Sequence, residues 1–203
     1  MVKRPNKKII LGITGSLASG KSTVAKMFQL YGAAVIDADK IGHSLLKPGS
    51  RVYQKILRNF REGILRRNNS IDRARLADLV FKDEEKLKML NRIMHPEIIR
   101  AIKAKINSSR PGVLILDAPL LIESGLQDLA DKLIVVKSIR VKQLKRLSKR
   151  KTPLSNKQAL RIIKAQIPLK DKIRLADFVI DNNGTLSQTR KQVEQIRRLL
   201  WRS

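Results

Sequence analysis

The stretch Lys8–Phe28, KIILGITGSLASGKSTVAKMF, decides the fold. Its apolar, β-branched opening (Ile9, Ile10, Leu11, Ile13) predicts a strand, a glycine-rich turn follows, and a helical pattern closes it. Within it, Gly15, Gly20, Lys21 and Ser22 fit the spacing G-x-x-x-x-G-K-[ST]. The glycines permit a tight backbone path whose N–H groups face phosphate oxygens. The following helix adds four unpaired N–H donors and the positive end of its dipole. Gly15, Ser16, Leu17, Ala18, Ser19, Gly20, Lys21, Ser22 and Thr23 therefore form the expected nucleotide cradle. In it Lys21 reaches the β- and γ-phosphates of ATP and the Ser22 hydroxyl is suited to Mg²⁺.

Outward from the cradle, a helix is expected over Ser22–Tyr31, with Val24, Ala25, Phe28 and Leu30 facing inward and Gly32 ending it. AAVIDADKIG then reads as a second short strand ending in two carboxylates, Asp37 and Asp39. The C-terminal edge of an open α/β sheet is where ligands bind. One of these acids can accept or orient the proton of an attacking hydroxyl and another can hold Mg²⁺ through water. Either can instead cap a helix starting near Lys40.

From Pro48 to Asn107 the pattern is mainly helical, more than one ordinary crossover needs, and suits a pocket for an acceptor substrate. Val52, Ile56, Leu57 and Phe60 share one side of a first helix; Leu76, Leu79 and Val80 belong to a second, started by Asp72. A third is expected from Asp83 with Leu87, Leu90 and Ile93 inward, bent or restarted at Pro96. His95 beside that proline is a candidate acceptor contact or a packed core histidine.

Val113–Leu116 is a continuous apolar run of the kind a central parallel strand requires, and Asp117 ends it as a Walker-B-like acid. Glu123 is expected to face the same cleft. After a fourth strand at Leu133–Val136 no acid occurs between Lys132 and Lys170. A helix there has the apolar spine Val141, Leu144 and Leu147, and a second follows a TPLS turn. This basic pair reads as a lid over phosphates or as a solvated hairpin; Arg146 and Arg150, four apart, share a face. A fifth strand is expected over Ala176–Ile180, then a DNNG loop and a final helix over Leu186–Leu200.

Composition narrows the class. The 203 residues allow one well-buried core, the absence of cysteine excludes disulfides and thiolate metal sites, and two histidines, His43 and His95, leave no histidine-rich centre. No apolar run is long enough to span a membrane and the N-terminus lacks a secretory signal, so a cytoplasmic enzyme is expected. Forty-four Lys plus Arg against 17 Asp plus Glu give a net charge of +27, which brings nucleic acid and anionic membranes into view. With 3% aromatic residues there is little platform for stacking bases, and phosphorylated small molecules also favour a positive cleft. No dedicated nucleic-acid or membrane partner is expected.

The ordered segments GITGSLASGKST, VIDADKIG, KPGS, IDRARLADLVF, LNRIMHPEI, LDAPLLIESG, QLKRLSKR, ALRIIKAQ and ADFVIDNNG resemble one family, dephospho-coenzyme A kinase, from Ile10 to Leu200. The resemblance implies an α/β fold: a P-loop nucleoside-triphosphate-hydrolase-like core with a five-stranded parallel sheet, a helical acceptor-binding insertion and a helical lid. Mapped here, a single kinase domain over 9–203 has its core at 9–47, 108–137 and 171–203, the acceptor-binding part at 48–107 and the lid at 138–170. The implied reaction is transfer of the ATP γ-phosphoryl group to the ribose 3'-hydroxyl of dephospho-coenzyme A, with Mg²⁺. It further implies Asp39 as base, Lys21, Arg146 and Arg150 as catalytic cations, Asn182 and Gly184 near the adenine, and His95 on the acceptor side; Asp37, Asp39, Asp117 and Glu123, by their places past the strand ends, are the other candidate substrate contacts. Ser22, with Asp39 or Asp117 through water, is the implied metal site. Ser16 and Ala18 stand where the family often has glycine, and His43 where arginine is frequent. The rivals are a nucleoside or nucleotide monophosphate kinase, which shares cradle and lid but takes a smaller acceptor, and an ATP-regulated RNA-binding protein without phosphoryl transfer.

Overall fold

A computed structural model describes residues 8–60, 63–110, 112–148 and 166–200. Five parallel strands form one sheet in the order β2-β3-β1-β4-β5. They are β1 (Ile9–Thr14), β2 (Ala34–Asp37), β3 (Val113–Asp117), β4 (Lys132–Lys137) and β5 (Phe178–Asp181). The apolar run that predicted β3 is buried along its whole length, as a central parallel strand covered on both faces must be. β1 lies between β3 and β4, with Ile9 opposite Val113 and Thr14 opposite Val135. The Gly15 loop thus leaves the sheet near its middle.

Helix α1 (Lys21–Leu30) follows that loop and packs with the last helix, α8 (Leu186–Leu200). Val24, Ala25 and Phe28 join Val193 and Ile196 and the strand residues Leu11, Ile13, Ile115, Ile134 and Ile180 in one core. Leu30, expected inward, is exposed: with about 3.6 residues per turn it stands about 200° round the helix from Phe28, off the buried stripe. α6 (Arg140–Ser148) and α7 (Leu169–Arg174) complete this sheet-bearing unit, to which the described residues up to Asp37 and from Ser109 onward belong.

The spine expected along α6 is only partly right. Leu147 is buried, whereas Val141 and Leu144 are exposed and Gln143 lies inside. Gln143 Nε2 donates to Ser138 O at 2.8 Å, so a satisfied amide occupies the inner face. The second helix expected after TPLS lies outside the described residues. β5 begins at Phe178 rather than Ala176, because Ala176 N–H still closes the end of α7 on Ile173 O at 3.2 Å.

Ala38–Ser108 form a second compact unit with its own core. It holds α2 (Ala38–Leu45), α3 (Arg51–Asn59), α4 (Arg73–Val80) and α5 (Glu84–Ser108). Asp72 caps α4, accepting from Ala74 and Arg75 N–H at 3.0 and 3.3 Å, as its place before the apolar pattern predicted. Two expectations change here. The strand that was to reach Asp39 stops at Asp37, and Asp39 sits in the first turn of α2, where a carboxylate complements the helix dipole. α5 also continues through Pro96 without a break, because packing against α2, α3 and α4 carries it past the missing N–H.

Candidate active site

The residues Gly15–Gly20 turn the chain from β1 into α1. The curl is held by Ser19 N–H on Ser16 O at 3.1 Å and by Thr23 and Val24 N–H on Gly20 O at 3.0 and 3.1 Å. Gly15 and Gly20 have φ of 150° and 103°, and a Cβ at either would overlap a neighbour, Val136 O at Gly15 and Asn182 Nδ2 at Gly20. Ala18, where a glycine is common in the family pattern, also takes a left-handed φ of 57°, a strain of about 1–2 kcal/mol for an L-residue. Ser19 is fully buried in the curl, and its Oγ makes no hydrogen bond among the described residues.

Lys21 is buried to 8% exposure and folds over the loop, its Nζ donating to Gly15 O at 3.0 Å and Ser16 O at 3.2 Å. Ser22 is exposed beside it, and its Oγ donates to Asp117 Oδ2 at 3.3 Å. Asp117 is buried at the end of β3, directly opposite Asp37 of β2 in the parallel register. The Ser22 hydroxyl and the Asp117 carboxylate thus meet where the sheet opens, with Asp37 at the neighbouring register position of β2. These hard oxygens suit Mg²⁺, which keeps several waters and takes only one or two protein carboxylates. Among the described residues no three or more His, Cys, Asp or Glu converge as an all-protein metal site. The curl of N–H groups with its orphaned Ser19 hydroxyl and the glycines that exclude a Cβ fits a phosphate chain.

Beyond β5, Asn182 is buried against the cradle, its Nδ2 donating to Ser19 O at 2.8 Å. Arg146 of α6 reaches the same place: Nη1 donates to Ala18 O at 3.1 Å, Ser19 O at 2.9 Å and Ser138 Oγ at 3.1 Å, and Nη2 to Asn182 O at 3.0 Å. Gly184 lies in the same loop, just before Thr185 opens α8. Asp181 shapes the loop start. Burial pushes its carboxyl up, but the Asn183 N–H and the Lys137 ammonium more than offset this and hold it below the usual value.

The structure brings Gly15–Ser22, Asp117, Asp37, Asn182 and Arg146 together at one sheet edge. Glu123 lies in the same unit, its Oε1 accepting from Lys172 Nζ at 2.7 Å and from Ile167 N–H at 2.9 Å. Asp39 and His95 belong to the helical unit, the first exposed on α2, the second half-buried on α5 with its pKa lowered by burial. Arg150 lies outside the described residues.

Sequence reading missed Lys172 and Thr189. Lys172 is 1% exposed and also donates to Pro119 O at 3.1 Å, an oxygen that Thr14 Oγ1 shares at 3.1 Å. Nothing in the pattern LKDKIR marks one lysine as buried. Thr189 is wholly buried and donates from Oγ1 to Asn182 Oδ1 at 3.0 Å. Its one signal is a small polar residue on the inner stripe of α8, four before Val193.

Residues 9–188 match the family model for dephospho-CoA kinase. The chain belongs to the dephospho-CoA kinase family. It is 46% identical over 187 residues to the dephospho-CoA kinase of Carboxydothermus hydrogenoformans, covering 91% of this chain and 90% of that protein. The dephospho-CoA kinase of Aquifex aeolicus is 43% identical over 187 residues, covering 92% and 94%. Among solved structures, TT1252 from Thermus thermophilus superposes with a TM-score of 0.82 at 30% identity, over 96% of this chain and 98% of that one. The Campylobacter jejuni dephospho-CoA kinase gives 0.68 at 28% identity with the same coverage. A shikimate kinase from Bacteroides thetaiotaomicron, at 13% identity and a TM-score of 0.53 over 95% of this chain and 98% of that one, shares the fold. As a dephospho-CoA kinase family member the chain is an ATP-dependent kinase that phosphorylates dephospho-CoA to CoA.

Proposed function

We propose that this chain carries out the transfer with Asp39 as the base, Lys21 and Arg146 as the cations that offset charge on the phosphoryl group, and Ser22 with Asp117 as the holders of Mg²⁺. The observation that carries the reading is the hydrogen bond from Ser22 Oγ to Asp117 Oδ2, which sets the end of the cradle against the carboxylate end of β3. ATP lies with its phosphates in the curl Gly15–Ser22 and its adenine toward Asn182 and Gly184. The ribose 3'-hydroxyl of dephospho-CoA is the nucleophile. As its oxygen forms the new bond to the γ-phosphorus and the bond to the β,γ-bridging oxygen breaks, ADP departs and the hydroxyl proton passes to Asp39. Mg²⁺, when bound, supplies charge neutralisation on the phosphate oxygens. In this assignment Asp37 and His95 serve the acceptor side and Arg150 is a further catalytic cation. Glu123 braces α7 through Lys172 in addition to any acceptor contact.

Most of the barrier is lowered by position and electrostatics, so interactions made only at the transition state affect turnover more than affinity. Asp39→Asn is expected to lower kcat by about 10²-fold or more with a smaller change in KM. Lys21→Ala is expected to abolish transfer. The check is the mass of the product from Mg-ATP with dephospho-CoA, and in parallel with nucleosides, nucleoside monophosphates and RNA. A folded Asp39→Asn enzyme with near-normal turnover removes Asp39 from the base role. A product formed on a nucleoside monophosphate but not on dephospho-CoA overturns the acceptor.

A further inference from the structure

We infer that Thr189, a buried hydroxyl on the last helix, is a positioning residue for nucleotide binding, acting through Asn182 on the phosphate cradle. The inference rests on the reading that Gly15–Ser22 holds the phosphates of ATP. Ser19 and Gly20 are held from outside the loop. Two groups from the far end of the chain do so: Asn182 Nδ2 on Ser19 O at 2.8 Å, and Arg146 Nη1 on the same oxygen at 2.9 Å. Gly20 leaves the space that Asn182 fills, since a Cβ there would overlap the amide nitrogen.

The Asn182 amide works only one way round. With its nitrogen toward a carbonyl, its oxygen must meet a donor, and Thr189 Oγ1 stands 3.0 Å away. Thr189 Oγ1 also lies 3.2 Å from Thr185 O. The single hydroxyl proton serves one acceptor at a time; the contact to Asn182 is the shorter, and Thr185 O keeps the helical Thr189 N–H at 3.1 Å as its donor either way. Thr189 itself is placed by a capping box one turn earlier, in which Gln188 N–H donates to Thr185 Oγ1 at 3.2 Å and Thr185 N–H to Gln188 Oε1 at 2.8 Å. Asn182 is 4% exposed and Thr189 0%, so water cannot replace the hydroxyl as donor. Without it, the amide either leaves its oxygen unpaired or turns and points that oxygen at Ser19 O. Both outcomes loosen the carbonyl that precedes Gly20 and, with it, the N–H groups that face phosphate.

Thr189→Val keeps the shape and removes the donor. ADP titrated into folded wild-type, Thr189→Val and Thr189→Ser proteins tests the relay by calorimetry at 25 °C. The expected result is a dissociation constant about 3- to 10-fold weaker for valine, the size of one hydrogen bond, and restoration by serine. In steady state the KM for ATP should rise by a similar factor while the KM for the acceptor stays at the wild-type value. A purely structural role would lower the melting temperature without separating the two KM values. ADP affinity unchanged in Thr189→Val overturns the inference. So does a serine variant as weak as valine, because serine keeps the hydroxyl on which the relay depends. If Thr189→Val does not fold, Thr189→Ala is read by the same criteria. Wild-type protein that binds no ADP would remove the cradle reading itself and this inference with it, so the two failures are distinguishable.

Discussion

His95 is half-buried on α5, and burial lowers its pKa below the ordinary 6.5 because the charged imidazolium loses hydration. The direction fixes a pH dependence. Between 6.5 and the lower folded value the unfolded chain binds more protons than the folded one, so stability falls as pH falls through that window and levels off below it. His95→Gln removes the titration. Melting curves of both proteins between about pH 8 and pH 5 are expected to converge toward the acid end if glutamine starts less stable, and to diverge in its favour if it starts level. A constant difference across the range would place His95 in an environment that does not distinguish its two forms. The same residue shows what a single chain can reveal at this scale. The residue pair HP named a candidate contact, but neither residue carries a sign of its own burial.

At the scale of the element, caps and strands were the most legible features. Ser50 in KPGS accepts Tyr53 N–H on its Oγ at 2.9 Å and starts α3, so Ser50→Ala should cost about 1 kcal/mol. That corresponds to a fall of about 2–4 °C in Tm for a chain of this length, measured by calorimetric melting. No fall would mean that another group satisfies the Tyr53 donor. β1, β3 and α8 were readable because their burial is written in composition: β-branched runs between turn residues, or an apolar stripe with period near 3.6. α6 was not, because a glutamine turned inward to a carbonyl looks like a surface residue in sequence. Asp39 was assigned to a strand because a two-residue step fits an extended chain as well as the start of α2. Lys21, Ser22 and Asp117 were legible through local motifs. The contacts of Ser19 with Asn182 and Arg146 span 163 and 127 residues of chain, and no local spacing encodes them.

For the whole molecule the dominant number is the net charge of +27, with 44 basic side chains against 17 acidic ones. Such an excess repels itself in the compact state, and salt relieves it: the Debye length falls from ~30 Å at 0.01 M to ~8 Å at 0.15 M. Tm is therefore expected to rise with sodium chloride over that range, in the absence of nucleotide and at fixed pH. A flat or falling Tm would mean that the ion pairs the folded chain makes, such as Lys132 with Asp177 and Lys137 with Asp181, outweigh the repulsion. The strand register has a consequence of another kind. Ile9 pairs with Val113, and β4 comes later still, so both neighbours of β1 lie more than a hundred residues downstream. At ~5–20 residues per second on the ribosome, the nascent phosphate-loop strand waits about 5–20 s before either partner has been synthesised. Ala38–Ser108 is complete by then, so the helical unit can assemble cotranslationally while the sheet that flanks the Gly15–Gly20 loop closes last.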